Sequence, residues 1–347
     1  MANCNELFKI YNSTIKLKEE KRVILKSVRN ALREKMNSRF NLIRNLDNHK
    51  LEFQSQGSFI MDTIITPIDD DYDLDDGVYF IGALSKEKRP MPQEFHDGVI
   101  LAIGEDENYA EIIDKETCVR VRYVKEKFHI DLPIYYASKV NPELAHTKEG
   151  WILSNPIKFI AWFEQKVGSG FKEQFLSEKK MFSQEYRVWL DDIRKKDAQL
   201  RRIVRYLKGW ADNLRGEMPP GIVMTILAGE NYVPNERDDI ALKDTLIKIK
   251  NYLDSNNCKC LRPTPPINED LFENYSQSKK QYFLDRLKTF IESGEQAINH
   301  PNQKDACYKW QKHFGDRFPC SMAKDTIDDS NTYENKAIIG ATAKSAK

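Results

Sequence analysis

The run from Asp71 to Ile81, DYDLDDGVYFI, constrains the fold more than any other stretch, because its apolar and polar side chains alternate with period two. Successive side chains on a strand point to opposite faces. Tyr72, Leu74, Val78 and Phe80 with Asp76 therefore share one face, and Asp71, Asp73 and Asp75 with Gly77 share the other. One face can be core and the other a carboxylate shelf. Six of the eight residues from Asp69 to Asp76 are acids. Such runs are most often solvated loops or loose calcium sites. Carboxylates held on one strand face repel each other, however, and hard oxygen ligands of this kind suit Mg²⁺ or Mn²⁺ together with water and substrate phosphates.

A second alternating run, Phe128 to Tyr135, places Asp131 on the polar side of a half-buried strand, and Pro133 puts the end of that strand near a sheet edge. The run from Cys118 to Val124 alternates as well, and the short link Lys125-Glu126 predicts a hairpin between them. Upstream, Gln56-Gly57-Ser58 supplies a turn where glycine lets phosphate oxygens approach the backbone and the serine hydroxyl can donate to them. A two-carboxylate strand, a third strand Asp and a Gly-Ser turn together point to a two-metal phosphoryl-transfer site.

The order Gly-Ser, Asp-apolar-Asp, lone Asp resembles the polymerase-β-type nucleotidyltransferases. The strings QGS at Gln56 to Ser58, DLDDGVY at Asp73 to Tyr79 and HIDLPIY at His129 to Tyr135 closely resemble the bacterial cGAS/DncV-like nucleotidyltransferases (CD-NTases), in their DncV-like branch. Similar segments continue at Gly150 to Pro156, Leu200 to Trp210 and Trp310 to Pro319, so the likeness spans roughly residues 10 to 320. It implies an α+β, two-lobed polymerase-β-like fold: a mixed-sheet catalytic lobe and a helical second lobe, joined by a long N-terminal spine helix. It selects Asp73 and Asp75, rather than Asp71, as the paired metal ligands, with Asp131 completing the catalytic triad. Two Mg²⁺ ions, or Mn²⁺, are the implied cofactors. Gln56, Gly57, Ser58 and Lys208 are the implied nucleotide-binding residues, Lys208 through the string Leu-Lys-Gly-Trp.

The implied activity is synthesis of a cyclic oligonucleotide, above all a dinucleotide such as 3′,3′-cyclic GMP-AMP, from ATP and GTP in CBASS anti-phage signalling. A cyclic-nucleotide-activated effector and an E1/E2-like partner conjugating the C-terminal tail are the implied partners. The alternatives are an oligoadenylate- or poly(A)-type polymerase, and a non-catalytic nucleotide- or RNA-sensing module. Relatives often carry serines on the helix corresponding to Pro219 to Leu227. Here Gly221 and Val223 stand there, and Thr225 is expected to pack rather than bind.

Lys plus Arg number 54 against 53 acids, so no global basic field implies an obligatory nucleic-acid partner. The six cysteines lack CxxC spacing and are expected to be reduced thiols without structural zinc. No apolar leader opens the chain and no run approaches the ~18 residues that span a bilayer, which predicts a cytoplasmic protein without a membrane partner.

Along the chain, Ser13 or Thr14 is expected to cap a long helix reaching about Met36, and a further helix to run from about Phe95 to Ile103. From Ser154, a candidate N-cap, the pattern is helical nearly to Ala228. Around Leu200 it sets an apolar stripe of Leu200, Ile203, Val204, Leu207 and Ala211 beside a basic stripe of Arg194, Arg201, Arg205 and Lys208, a solvated face unless function claims it. The proline-rich Arg262 to Pro266 is read as a wrapping loop. Helices are expected at about 240–253, 269–293 and 304–314. The expected division is 1–150 for the nucleotidyltransferase lobe with its spine helix, 151–322 for the helical lobe, and 323–347 for a flexible tail.

Overall fold

The structure is a computed structural model describing residues 1–40, 46, 49–106, 111–123, 127–137, 141–168, 183–194 and 196–325. The Lys125-Glu126 link and all but the first residues of the tail lie outside these.

Among the described residues seven strands form one mixed sheet: β1 (Lys50–Gln56), β2 (Tyr72–Ile81), β3 (Glu111–Asp114), β4 (Cys118–Tyr123), β5 (Phe128–Ala137), β6 (Glu143–His146) and β7 (Gly150–Leu153). The order is β1-β2-β5-β4-β3, with β6 paired to β5 and β7 to β6. Only β2 and β5 are parallel. The alternation in β2 is realised as expected, with Leu74, Val78 and Phe80 fully buried. Asp76 shares their face and is also fully buried, held by Ser55 Oγ at 2.7 Å and Arg33 Nε at 2.7 Å.

β5 corrects the sequence reading in two ways. It is central rather than near an edge, because β2 and β4 flank it, and it is buried along its whole length. Pro133 is tolerated because the paired residues on the β2 side run from Asp75 with Asp131 straight to Val78 with Ile134, leaving a break in the ladder at the proline.

The expected spine is two helices, α1 (Asn5–Ile15) and α2 (Glu19–Arg39). Lys16 to Lys18 are extended because this segment pairs elsewhere: Lys16 bridges to Ile65, Thr66 N–H donates to the Ile15 carbonyl at 2.7 Å, and the Lys16 ammonium meets Asp62 at 2.9 Å. Ser13 and Thr14 lie inside α1, their hydroxyls donating back to Lys9 and Ile10 carbonyls. A single-turn α3 (Gly57–Ile60) follows β1, and α4 (Pro92–Ile103) packs beside α2.

After β7 the described residues contribute the helices α5 (Pro156–Val167), α6 (Gln184–Arg194), α7 (Gln199–Leu214), α8 (Gly221–Asn231), α9 (Asp238–Ser255), α10 (Gln277–Ile298) and α11 (Gln303–Phe314). Asn155, not Ser154, caps α5, accepting from Lys158 N–H at 3.0 Å. Helix α1 belongs physically to this assembly. Phe8 is fully buried and packs edge-on against Tyr206, Trp310 and Phe318 at 5.0–5.2 Å between ring centroids. The expectation of six free thiols fails at Cys307 and Cys320, which form a disulfide. The chain turns back after α11 at Gly315 and lays Cys320 over Cys307, a closure their spacing does not announce.

Among the described residues no helix is long and apolar enough to cross a membrane.

Candidate nucleotidyltransferase site

The site is built where β1 hands over to β2. The two strands are antiparallel and set Gln56 opposite Asp75, so the Gly-Ser turn begins directly against that carboxylate. Gly57 has φ +64°, and a Cβ there would stand 2.1 Å from Asp75 Oδ2. Only glycine lets the turn and the acid approach so closely.

Parallel pairing of β2 with β5 then sets Asp73 beside His129 and Asp75 beside Asp131. Ligand atoms of Asp73, His129 and Asp131 lie within 4.8 Å of one another. Asp75 stands outside that tightest group, against the turn. Its carboxyl is held well above the usual carboxylate range, first by desolvation, then by the charges of Asp73 and Asp131. Asp71 precedes β2, and its half-exposed carboxylate lies 3.1 Å from His129 Nδ1.

Asp71, Asp73 and Asp75 face a cavity of about 510 Å³, within the range of small-molecule sites, and Asp131 lies behind them, outside its lining. Gln56, Gly57, Ser58, Asp73, Asp75 and Lys208 all line it. The Gln56 side chain is engaged internally, donating to Tyr135 Oη at 3.1 Å and accepting from Tyr79 at 3.5 Å. Lys208 reaches in from α7 and donates to the Thr63 carbonyl at 3.1 Å. Burial lowers its pKa from 10.5 to about 8, partly offset by Asp73 and Asp75.

On α8, a Cβ at Gly221 would come within 3.0 Å of the Lys208 stem, so glycine leaves the lysine its space. The Thr225 hydroxyl donates to the Gly221 carbonyl at 2.8 Å, as a packing residue would. Arg262, Thr264 and Pro265 form another wall, so the proline-rich segment does wrap the site.

Two neighbours of the triad escaped the sequence reading. Arg120 grips Asp131 with two bonds, Nε to Oδ1 at 2.6 Å and Nη2 to Oδ2 at 2.7 Å. It sits directly opposite Asp131 in the β4–β5 pair, so pairing the two alternating runs residue by residue would have found it. His129 lies two residues before Asp131 on the same strand face, the position a third ligand would occupy.

A carboxyl pushed toward its protonated form by burial and then by neighbouring acids fits a divalent cation, since oxygen donors facing one another need positive charge between them. Such a site at the end of a mixed sheet, facing a lysine on a helical layer, defines a nucleotidyltransferase of the polymerase-β type.

Residues 51–135 match the family described as cyclic GMP-AMP synthase DncV-like, nucleotidyltransferase domain. A cyclic GMP-AMP synthase of Escherichia coli is 25% identical over 307 residues, covering 78% of this chain and 68% of the relative. The di-nucleotide cyclase DncV of Vibrio cholerae, solved with ATP and GTP, superposes with a TM-score of 0.68 at 17% identity, over 92% of this chain and 98% of that one. The CD-NTase CdnG of Bradyrhizobium diazoefficiens, solved with GTP, gives 0.67 at 17% identity, over 90% and 95% of the two chains. Residues 51–135 thus match a DncV-like nucleotidyltransferase domain, and the chain shares the fold of the CD-NTases over about nine-tenths of its length.

Proposed function

We propose that this protein joins nucleoside triphosphates into a cyclic oligonucleotide, with pyrophosphate released at each step, and that the product is a cyclic dinucleotide such as 3′,3′-cyclic GMP-AMP made from ATP and GTP. The observation that carries the reading is that Asp73 and Asp75 line one cavity with Ser58 and Lys208 at its walls, while Asp131 sits against them, paired with Asp75 across β2 and β5 and within ligand distance of Asp73. A Vibrio cholerae relative solved with the linear intermediate pppA(3′,5′)pG supports a two-step route through one site.

Asp73, Asp75 and Asp131 would hold two Mg²⁺ ions, with Mn²⁺ able to replace them and His129 placed to complete the set. Bound there, the ions would supply charge neutralisation to the attacking and leaving oxygens. Lys208 and the Ser58 hydroxyl hold the triphosphate of the donor. The 3′-hydroxyl oxygen of the acceptor attacks the donor α-phosphorus, a new P–O bond forms, the α–β bridging bond breaks, and pyrophosphate leaves. Asp131, oriented by Arg120, stands on the acceptor side to receive the hydroxyl proton. A second passage with the linear intermediate re-docked closes the ring.

The division into 1–150, 151–322 and 323–347 belongs to the same proposal: among the described residues the strands of the sheet end at Leu153 and the long helices of the second lobe follow, although α1 packs with that lobe. A role in CBASS signalling, an effector activated by the product and an E1/E2-like partner acting on the tail belong to the same proposal. That tail lies almost wholly outside the described residues.

The test is incubation with four α-labelled NTPs and Mg²⁺, followed by phosphatase. A phosphatase-resistant cyclic species is expected, and a long ladder would replace this reading with a poly(A)- or oligoadenylate-type polymerase.

A further inference from the structure

The stripe of basic residues on α7 is not a solvated face. Arg201 and Arg205 are fully buried. With Lys208 they occupy positions i, i+4 and i+7, one face of a helix. The three side chains reach three consecutive carbonyls of the segment that leaves the Gly-Ser turn. Arg201 Nη1 donates to Met61 O at 2.5 Å, Arg205 Nη1 to Asp62 O, and Lys208 Nζ to Thr63 O at 3.1 Å. From the other side Arg22 donates to Phe59 O at 3.1 Å.

Carbonyls at the end of a single helical turn have no partner within that turn, and burying them unpaired is costly. Here α7 supplies the donors. Each guanidinium is in turn fixed. Arg201 makes two bonds, of 2.9 and 2.6 Å, to the fully buried Glu164 of α5, and Arg205 binds Asn12 at 2.7 Å and Asp197.

We propose that Arg201 and Arg205 are positioning residues for nucleotidyl transfer, clamping the segment from Gly57 to Thr63 onto α7 so that Ser58 and Lys208 meet the donor triphosphate as one rigid unit. This deepens the function proposed above and rests on it. A clamp of this kind holds the triphosphate equally in ground and transition states, so its loss raises KM and spares kcat. A merely structural defect lowers the active fraction and leaves KM alone.

The test uses the full chain and the double variant Arg201→Met, Glu164→Met. Replacing a buried ion pair by apolar residues of similar length keeps the fold where removing one partner does not. Three quantities are measured: amide hydrogen exchange at Thr63 and Ile64, both bonded to the Ser58 carbonyl; KM and kcat; and affinity for a non-hydrolysable ATP analogue. Faster exchange at both amides is expected, with KM and the dissociation constant raised about tenfold and kcat within about threefold. Unchanged exchange in a folded double variant overturns the proposal, as does a fall in kcat with KM unmoved. Exchange is read without turnover, so a wild type that makes no product refutes the enzymatic reading and still leaves the clamp to be judged. Arg205→Lys, which keeps one donor for Asp62 O, is expected to raise KM less than Arg205→Met. Equal values remove Arg205 from the clamp.

Discussion

Gly57→Ala separates the cost of the turn's backbone from the placement of Asp75. An alanine at φ +64° pays a left-handed penalty of about 1–2 kcal/mol. Its Cβ would also stand 2.1 Å from Asp75 Oδ2, whereas Cβ contacts do not fall below 3.0 Å, so the carboxylate must retreat by nearly 1 Å. The carboxylate is the free end of a side chain and can move, so the fold survives. At about 2–4 °C per kcal/mol the melting temperature falls by only a few degrees. Catalysis is less tolerant, and a displacement of this size costs about 100-fold.

Gly216 is the matching control, with the same φ of +64° and nothing within 4 Å of an added Cβ. Gly216→Ala is expected to show a similar thermal shift with nearly normal pyrophosphate release. Thermal melts and steady-state pyrophosphate assays on both variants decide the matter. Equal activities in the two would refute the claim that Gly57 is required for the position of Asp75.

Three other outcomes follow from particular contacts. Arg120→Met releases both oxygens of Asp131 and is expected to raise the Mg²⁺ concentration needed for half-maximal activity by about 10–100-fold, the usual cost of losing the partner of a metal ligand. Phe8→Ala empties a site walled by Tyr206, Trp310 and Phe318, and urea titration should show about 3–5 kcal/mol lost. His313 is stacked on Phe290 at 4.4 Å, and burial, helped by Lys312 and Arg286, lowers its pKa from 6.5 to about 4. The unfolded chain therefore takes up a proton before the folded one does. The contribution of His313 is complete above pH 6.5 and fades as pH falls through 4, on the order of 3 kcal/mol in all. In His313→Phe, urea midpoints should depend less steeply on pH across that window.

The parts legible in the sequence were those set by local period. Alternation gave β2, β4 and β5 and the faces of Asp73 and Asp76, because side-chain direction on a strand needs no tertiary information. How β2 meets β5 is a non-local pairing, and it alone brings Asp131 to Asp75. The break at Lys16 was illegible for the same reason: residues 12–36 carry a helical pattern, and only the pairing with Ile65 and Asp62 interrupts it. Arg201 and Arg205 looked like a solvated stripe because composition does not distinguish a guanidinium in water from one enclosed by a carboxylate and a backbone carbonyl. The bridge between Cys307 and Cys320 depends on the reversal at Gly315, far from any spacing rule.

The central claim is that Asp73, Asp75 and Asp131, and not the neighbouring Asp71, carry nucleotidyl transfer. Pyrophosphate release from ATP plus GTP with Mg²⁺, compared among wild type, Asp71→Ala and Asp75→Ala, tests it most directly. Release by wild type, within about threefold in Asp71→Ala and at least about 100-fold lower in Asp75→Ala, is the predicted result. Loss in Asp71→Ala with activity kept in Asp75→Ala would contradict it.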